Sequence, residues 1–179
     1  MARNNAFLQG NLGVVAAPCR VEEFGDKYQH TTILTFEGSS AVLPAIAGGA
    51  VLAVGLKVYD FPAGSVIVDS ARLYGVAITQ TEGNITADTP DVGLGTTIGS
   101  GAVAVLSGTA AFENILTGQT FTDCDGTAED ATVGTQLVIA PADSHSVYLN
   151  VADGWAAGGD AAAVVSGQIV LQWRYMGGA

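Results

Sequence analysis

The sequence predicts an all-β protein, folded as a two-sheet antiparallel sandwich. Short runs in which apolar and polar residues alternate recur along the chain, and a period of two is that of a strand with one buried face. Turn residues separate these runs, and 24 of the 179 residues are glycine. Charged residues make up 13% of the chain, about half of the roughly 25% usual for soluble domains, which does not favour a helical bundle or a coiled coil.

The alternation is clearest in residues 165–175. One face of this predicted strand carries Val165, Gly167, Ile169, Leu171, Trp173 and Tyr175. The remaining strands are predicted at residues 31–36, 41–47, 52–58, 66–79, 102–106, 133–139 and 145–151. Gly75 predicts a bulge or bend inside its strand, and Pro44 restricts its strand to a sheet edge. About eight strands without a βαβ rhythm favour a jelly roll, and an immunoglobulin-like sandwich stays open.

Two segments depart from the strand pattern. Apolar residues at helical spacing, followed by Gly118 as a stop signal, predict one short helix in residues 109–117, lying over an edge or end of the sheets. Residues 1–25 lack periodicity and are predicted to form an irregular N-terminal arm. Residues 26–179 then make up a single β-sandwich domain, of ordinary size for one core.

The charge balance is strongly acidic. Six basic residues against 17 acidic ones give a net charge of −11. Binding to nucleic acid is not expected, because a phosphate backbone needs positive charge opposite it, and anionic membrane surfaces are disfavoured for the same reason. The uncharged runs at residues 38–56 and 92–112 are diluted by small and polar residues, and the first residues lack an unbroken apolar stretch. We therefore expect neither a membrane span nor a signal peptide, and a chain made in a cytoplasm.

The residues that usually build a catalytic or cofactor-binding centre are scarce, so none is expected. The two histidines, His30 and His145, are too few for a cupin-type metal enzyme. Cys19 and Cys124 match no ligand spacing. Without a secretory signal they are expected to be free thiols.

One loop concentrates carboxylates and is the candidate metal site. Residues 123–130 read Asp-Cys-Asp-Gly-Thr-Ala-Glu-Asp, and Asp-x-Asp-Gly is similar to the start of a calcium loop, in which one tight turn supplies several oxygen ligands. The third ligand position is already glycine and no glutamate follows at the required spacing, so the loop departs from the EF-hand pattern. The candidate calcium ligands are Asp123, Asp125, Glu129 and Asp130, and the alternative is a solvated turn.

The two tryptophans have different expected roles. Trp173 lies on the apolar face of its predicted strand and is expected in the core. Trp155 lies in a predicted turn, where it caps one end of the sandwich, lies in an interface with a partner, or stacks on a sugar.

Several stretches resemble a recurrent block in virion proteins of tailed bacteriophages. They are residues 58–64, 91–96, 100–106, 111–116, 149–152 and 167–173. Among them, 91–96 reads Asp-Val-Gly-Leu-Gly-Thr and 111–116 reads Ala-Phe-Glu-Asn-Ile-Leu. Over roughly residues 58–173 the chain is similar to small jelly-roll decoration, or cement, proteins that bind the outside of a capsid. Such families carry no catalytic residues, so the resemblance assigns none here, and residues 1–50 carry no part of it.

The resemblance implies a structural virion protein on the outer capsid surface. Its partners would be the major capsid protein and further copies of itself, as a homodimer or homotrimer, and it would stabilise the shell by bridging neighbouring capsid subunits. An acidic chain avoids the packaged genome, and many weak symmetric contacts multiply by avidity. Two other classes stay open. One is a carbohydrate-binding β-sandwich of a virion fibre or tail, which would use Trp155 and the acidic loop, and the other is a small hydrolase or cupin enzyme.

Overall fold

The structure, a computed structural model, describes most of the chain from Cys19 onwards. The described residues are 19–37, 41–46, 52–80, 89–99, 103–106, 108, 110–133, 136–152 and 161–177. Eleven β-strands form within them. Their bounds are β1 Cys19–Gly25, β2 Gln29–Phe36, β3 Val42–Ile46, β4 Ala53–Asp60, β5 Ser65–Gln80, β6 Asp91–Gly95, β7 Leu116–Thr120, β8 Glu129–Val133, β9 Leu137–Ile139, β10 Ser146–Ala152 and β11 Ala161–Gly177.

The strands form two antiparallel sheets that pack as a sandwich, which confirms the predicted fold class, and the number of strands is consistent with a jelly roll. The larger sheet has seven strands in the order β1-β2-β11-β5-β8, with β3 also paired to β11 and β9 also paired to β5. The smaller sheet has four strands in the order β4-β10-β6-β7. Strands β5 and β11, of 16 and 17 residues, form the longest ladder of the larger sheet.

The core lies between the sheets and follows the alternation read from the sequence. In β11 the buried side chains are those of Val165, Ile169, Leu171 and Trp173, as predicted. In β10, Val147, Leu149 and Val151 point into the same core. Burial of one apolar side chain in two along each strand is the source of most of the stabilisation in such a sandwich.

The two predicted irregularities of the strands are confirmed. The register of β5 against β8 shifts between Leu73 and Val76, and Gly75 between them has a φ of +55°. Only glycine adopts this left-handed conformation without strain, so it marks the bulge. Pro44 lies in β3, which among the described residues is paired on one side only, to β11.

The predicted short helix at residues 109–117 is wrong. Residues 110–115 form turns and bends, and β7 begins at Leu116. The predicted strand at 102–106 is also wrong, because residues 103–106 are irregular. These segments, together with residues 96–99 after β6, lie over the outer face of the smaller sheet. We call residues 96–99, 103–106 and 110–115 the cover.

Two other expectations differ from the structure. The described residues contain eleven strands rather than about eight, because β6, β7 and the short β8 have little apolar alternation to reveal them and β1 lies in the predicted arm. The predicted irregular arm, residues 1–25, includes a regular strand: β1 pairs with β2 from Cys19 to Gly25. Residues 1–18 lie outside the described residues. No helix long and apolar enough to span a membrane occurs in the part of the chain that the structure describes.

Gly95 and Gly75 require glycine for two different reasons. A Cβ atom on Gly95 would overlap the backbone of Ala111 and Phe112 in the cover, whereas a Cβ atom on Gly75 would meet nothing within 4 Å. We expect Gly95→Ala to lower the free energy of unfolding by about 3 kcal/mol, the cost of forcing packed backbone apart. Gly75→Ala should cost about 1 kcal/mol, from its positive φ alone. Urea unfolding of both variants measures the difference, and equal losses would contradict the close packing of the cover.

Candidate functional site: the covered face of the smaller sheet

The outer face of the smaller sheet has small residues around Asn150, and the cover lies directly on the backbone there. Asn150 on β10 is paired with Gly55 on β4 and with Gly93 on β6, so one row across three strands reads glycine, asparagine, glycine. The next row places Ala152 between Ala53 and Asp91. At four glycines of this sheet an added Cβ atom would be less than 3 Å from another atom, in most cases an atom of the cover. They are Gly55, Gly93, Gly95 and Gly118. Glycine in a strand interior commonly marks such a close approach of other backbone.

Asn150 fastens the cover to the sheet. Its side chain is fully buried, and its Oδ1 accepts a hydrogen bond from the amide of Gly99 at 2.8 Å. Its Nδ2 donates to the carbonyl oxygens of Thr97 at 3.0 Å and Phe112 at 2.6 Å. One amide therefore satisfies three backbone groups from two separate segments of the cover. Buried polar groups need such partners, because leaving them unpaired costs about 1–3 kcal/mol each.

Further hydrogen bonds hold the cover together. The carbonyl oxygen of Ala111 accepts from the amides of Thr96 at 2.7 Å and Thr97 at 3.1 Å, and the amide of Leu106 donates to the Asp91 carboxylate at 3.1 Å. A small apolar cluster fills the space between the cover and the sheet. It consists of Ala53, Leu106 and Ala152, with Val103 and Phe112 packed against it. The irregular segments are thus a fixed third layer.

The solvent side of the cover presents apolar side chains. Ile98 is 50% exposed and Val105 is 60% exposed. The backbone on either side of Ile98 is held by Asn150, and the segment that carries Val105 is held by the hydrogen bond from the Leu106 amide to Asp91, so both side chains are displayed on a preorganised surface. Preorganisation lowers the entropic cost of binding a partner.

A second cluster of functional groups lies at one end of the larger sheet. The carboxylate of Glu23 contacts Nδ1 of His30 at 2.9 Å and accepts a hydrogen bond from the Tyr59 hydroxyl at 3.1 Å. The His30 ring stacks on Trp173, with ring centroids 4.1 Å apart, and Trp173 donates its indole N–H to the Thr32 hydroxyl at 2.9 Å. Tyr59 belongs to β4, so this cluster ties β1 and β2 to the opposite sheet.

The geometry of this cluster favours a structural role over acid–base chemistry. The His30 side chain is 1% exposed and its Nε2 has no hydrogen-bond partner among the described residues. In the shallow depression beside it, the Asp69 carboxylate is held by Arg174 at 2.7 and 2.8 Å. The hydrogen bond from Arg174 holds the pKa of Asp69 below its ordinary value. Asp69 is therefore ionised at neutral pH and does not serve as a general acid.

The four candidate calcium ligands do not converge on one point. Thr127 donates to both Asp123, at 3.1 Å, and Asp125, at 2.8 Å, so these carboxylates are used within their own turn. Glu129 accepts from the Thr122 amide and hydroxyl, while Asp130 accepts from the amide of Gly75 at 2.6 Å. No group of three or more histidine, cysteine, aspartate or glutamate residues that could hold a metal ion occurs among the described residues. The geometry supports the alternative, a solvated turn.

The other residues singled out in the sequence lie apart from one another. His145 contacts the carbonyl oxygens of Gly64 at 2.7 Å and Asp143 at 2.9 Å, so it has partners different from those of His30. Within the part of the chain that the structure describes, Cys19 and Cys124 form no disulfide, and Cys124 is buried. Burial raises the pKa of the Cys19 thiol, which lowers its reactivity. Trp155 lies outside the described residues, and its predicted role in an interface or on a sugar stays a prediction.

Comparisons with known proteins do not identify a family. No protein-family model matches the chain, and no curated protein matches it. Among solved structures, that of an arabinose-bound α-L-arabinofuranosidase is similar with a TM-score of 0.33 and 11% identity, over 94% of this chain. The chain spans only 24% of that enzyme, and a likeness at this level carries no argument about function.

Replacing Asn150 with the nearly isosteric aspartate tests its role in fastening the cover. A carboxylate retains the acceptor for Gly99 but loses both donors and faces two carbonyl oxygens. We expect Asn150→Asp to lower the free energy of unfolding by about 3–5 kcal/mol, since it buries an unpaired charge. It should also speed hydrogen exchange at the Thr97 and Gly99 amides.

The matched control is Asn114→Asp, also in the cover. Asn114 Nδ2 donates to the Thr96 hydroxyl at 3.0 Å, and this hydroxyl can turn from the Ala111 carbonyl, 3.4 Å away, to donate to a carboxylate at position 114. The control should lose less than about 1 kcal/mol, the scale of one replaced hydrogen bond. Equal losses for the two variants would rule out the special role of Asn150.

Proposed function

We propose that the chain is a structural virion protein that binds the outer surface of a phage capsid and stabilises the shell by bridging neighbouring capsid subunits. The observation that carries the proposal is the preorganised apolar surface of the cover, with Ile98 and Val105 exposed on a layer fixed by Asn150 and Asp91. Exposed apolar side chains on a rigid support are typical of a protein-binding site.

The stretches that resemble virion proteins support this surface as the contact. Residues 91–96, 149–152 and 58–64 include parts of β6, β10 and β4, which are neighbours in the smaller sheet. Residues 103–106 and 111–115 belong to the cover. Most of the resemblance therefore falls on one layer of the molecule, together with the close-packed glycines that hold the cover in place.

Charge and copy number are consistent with a position outside the shell. A net charge of −11 opposes contact with packaged nucleic acid and favours the outer surface. Each apolar patch is small, so one copy would bind weakly. Copies that engage several capsid subunits at once gain effective concentration, and the combined binding stabilises the shell without any catalytic step.

Sedimentation with undecorated shells of the phage that encodes the chain tests the proposal. We expect the wild-type protein to co-sediment with the shells and to raise the temperature at which they disrupt. Val105→Asp, which places a charge in the apolar patch, should weaken shell binding at least about 10-fold, as expected for a central interface residue.

Tyr28→Asp is the matched control, because Tyr28 in the β1–β2 turn is as exposed as Val105, 60% for each, and lies outside the cover. It should bind shells as the wild type does. Failure of the wild-type protein to co-sediment would refute the proposed function. Equal binding by the two variants would refute the cover as the contact surface.

A further inference from the structure

The outer face of the larger sheet carries three rows of side chains across four strands. The pairing of β1, β2, β11 and β5 aligns outward-facing residues from strand to strand. The first row is Phe24, Thr31, Gln172 and Ser70. The second is Glu22, Ile33, Val170 and Arg72. The third is Arg20, Thr35, Gln168 and Tyr74.

The centre of the three rows is uncharged, and their charged residues lie on the flanking strands β1 and β5. The two central strands, β2 and β11, contribute only Thr, Ile, Gln and Val to the rows. In the second row Glu22 lies on the β1 side and Arg72 on the β5 side. Large exposed apolar side chains are also concentrated on this sheet face. They include Phe24, Val42, Tyr74 and Val138.

The face is close to neutral on a strongly acidic protein. Arg20 pairs with Glu22 at 3.8 Å and Glu37 at 3.7 Å, and Arg174 pairs with Asp69 at 2.7 Å. Arg72 lies over the Tyr74 ring, 5.6 Å from its centroid, and takes part in none of the ion pairs found among the described residues. With Asp130 of the neighbouring strand β8, the face carries three arginines and four carboxylates, a net charge of −1, while the chain as a whole carries −11.

We infer that this face binds the same face of a second copy of the chain, about a two-fold axis that runs parallel to the strands between β2 and β11. Such an axis exchanges β1 with β5 and β2 with β11 across the interface. Glu22 then faces Arg72 of the second copy, and Ile33 faces Val170 of the second copy. Arg20 faces Tyr74 of the second copy, an arrangement that suits a cation–π contact. Each contact occurs twice, as a two-fold interface requires.

Charge complementarity indicates that this face binds a second copy of the chain. Two molecules of charge −11 repel each other over most of their surfaces, and this nearly neutral face is a place where they can approach with little of that cost. Among the arginines that the structure describes, Arg72 forms no ion pair, and it meets Glu22 across the axis. Aligned sheets pack about 10 Å apart, which side chains of this size fill. Two shallow depressions, of about 410 and 420 Å³, share Gln172 at their border and leave room for side chains of the second copy.

Charge reversal at the two ends of the second row tests the inference. We expect the wild-type chain to sediment at twice 18.1 kDa at micromolar concentration. Glu22→Arg and Arg72→Glu should each raise the dimer dissociation constant roughly 100-fold, because each places like charges opposite one another at two symmetric positions. The double variant restores opposite charges across the axis and should return to the wild-type dissociation constant.

Lys27→Glu is the matched control. Lys27 also lies over a tyrosine ring, 5.4 Å from the centroid of Tyr28, but in the β1–β2 turn and outside the three rows. It should leave the dissociation constant unchanged. Circular dichroism and thermal unfolding identify any variant that fails to fold, and the double variant supplies the test if one single variant does.

Each outcome decides the inference. A monomeric or trimeric wild-type protein would overturn it, and so would a folded double variant that stays monomeric while the single variants dissociate. Shell binding does not enter these measurements, so they stand whether or not the chain decorates a capsid. A variant that dissociates yet still binds shells through the cover would support two separate surfaces.

Discussion

The pairing of β5 with β11 is the constraint on which the rest of the structure depends. These two strands run side by side for most of their length, and every other strand of the larger sheet attaches to one of them or, through β2, to β11. Their inward residues form much of the core, and their outward residues form part of the outer face. Side chains alternate between the two sides of a strand. The register of this ladder therefore determines both which residues are buried in the core and which residues form the outer face. The bulge at Gly75 is one of three register shifts along this long ladder, and at such a bulge the strand bends and its local twist increases.

The sequence predicted the elements in which burial is one-sided and continuous. β11 and β10 were readable because their apolar residues alternate over many positions. The turn segment at 110–115 was misread as a helix because Phe112 and Ile115 have helical spacing, yet Phe112 packs inward against the sheet as part of a cover. Spacing alone does not distinguish a helix from a loop that buries apolar residues at similar intervals. The chain from Asp91 to Gly95 lacks β-branched residues except Val92, and its glycines read as a turn.

The functional surfaces were harder to predict than the fold. Asn150 looked like an outward polar residue of an alternating strand, which it is, but the cover buries it. The glycines that pair with Asn150, Gly55 and Gly93, could have identified it. Their alignment with Asn150 depends on strand register, which cannot be read from the sequence. Strand register also builds the rows of the larger sheet from four segments far apart in sequence. The acidic turn, by contrast, was predictable from the sequence. In the structure its carboxylates accept hydrogen bonds from nearby Thr122, Thr127 and Gly75.

The outer faces of the two sheets are built differently. The smaller sheet has small residues around Asn150 and is covered there, so its exposed surface at that place consists of loop residues held by an amide. The larger sheet presents exposed side chains of its own strands, such as Val42 and Tyr74. A surface made of loops on a rigid support can change in sequence with little effect on the sandwich, whereas the rows of the larger sheet are coupled to the core through alternation. This arrangement would suit a chain that binds a variable partner through the cover and a constant partner through the larger sheet.

The position of β11 has a consequence for folding. β2 is hydrogen-bonded to β11 along eight residue pairs, and the Trp173 indole binds the Thr32 hydroxyl across a sequence separation of 141 residues. All the strands between them are synthesised before β11 is available. During that time β2 and β5 expose edges on which other chains can pair. Folding dominated by such distant contacts is slow, so the yield of native protein should depend on chain concentration and temperature during synthesis, and aggregation should compete most strongly at this stage.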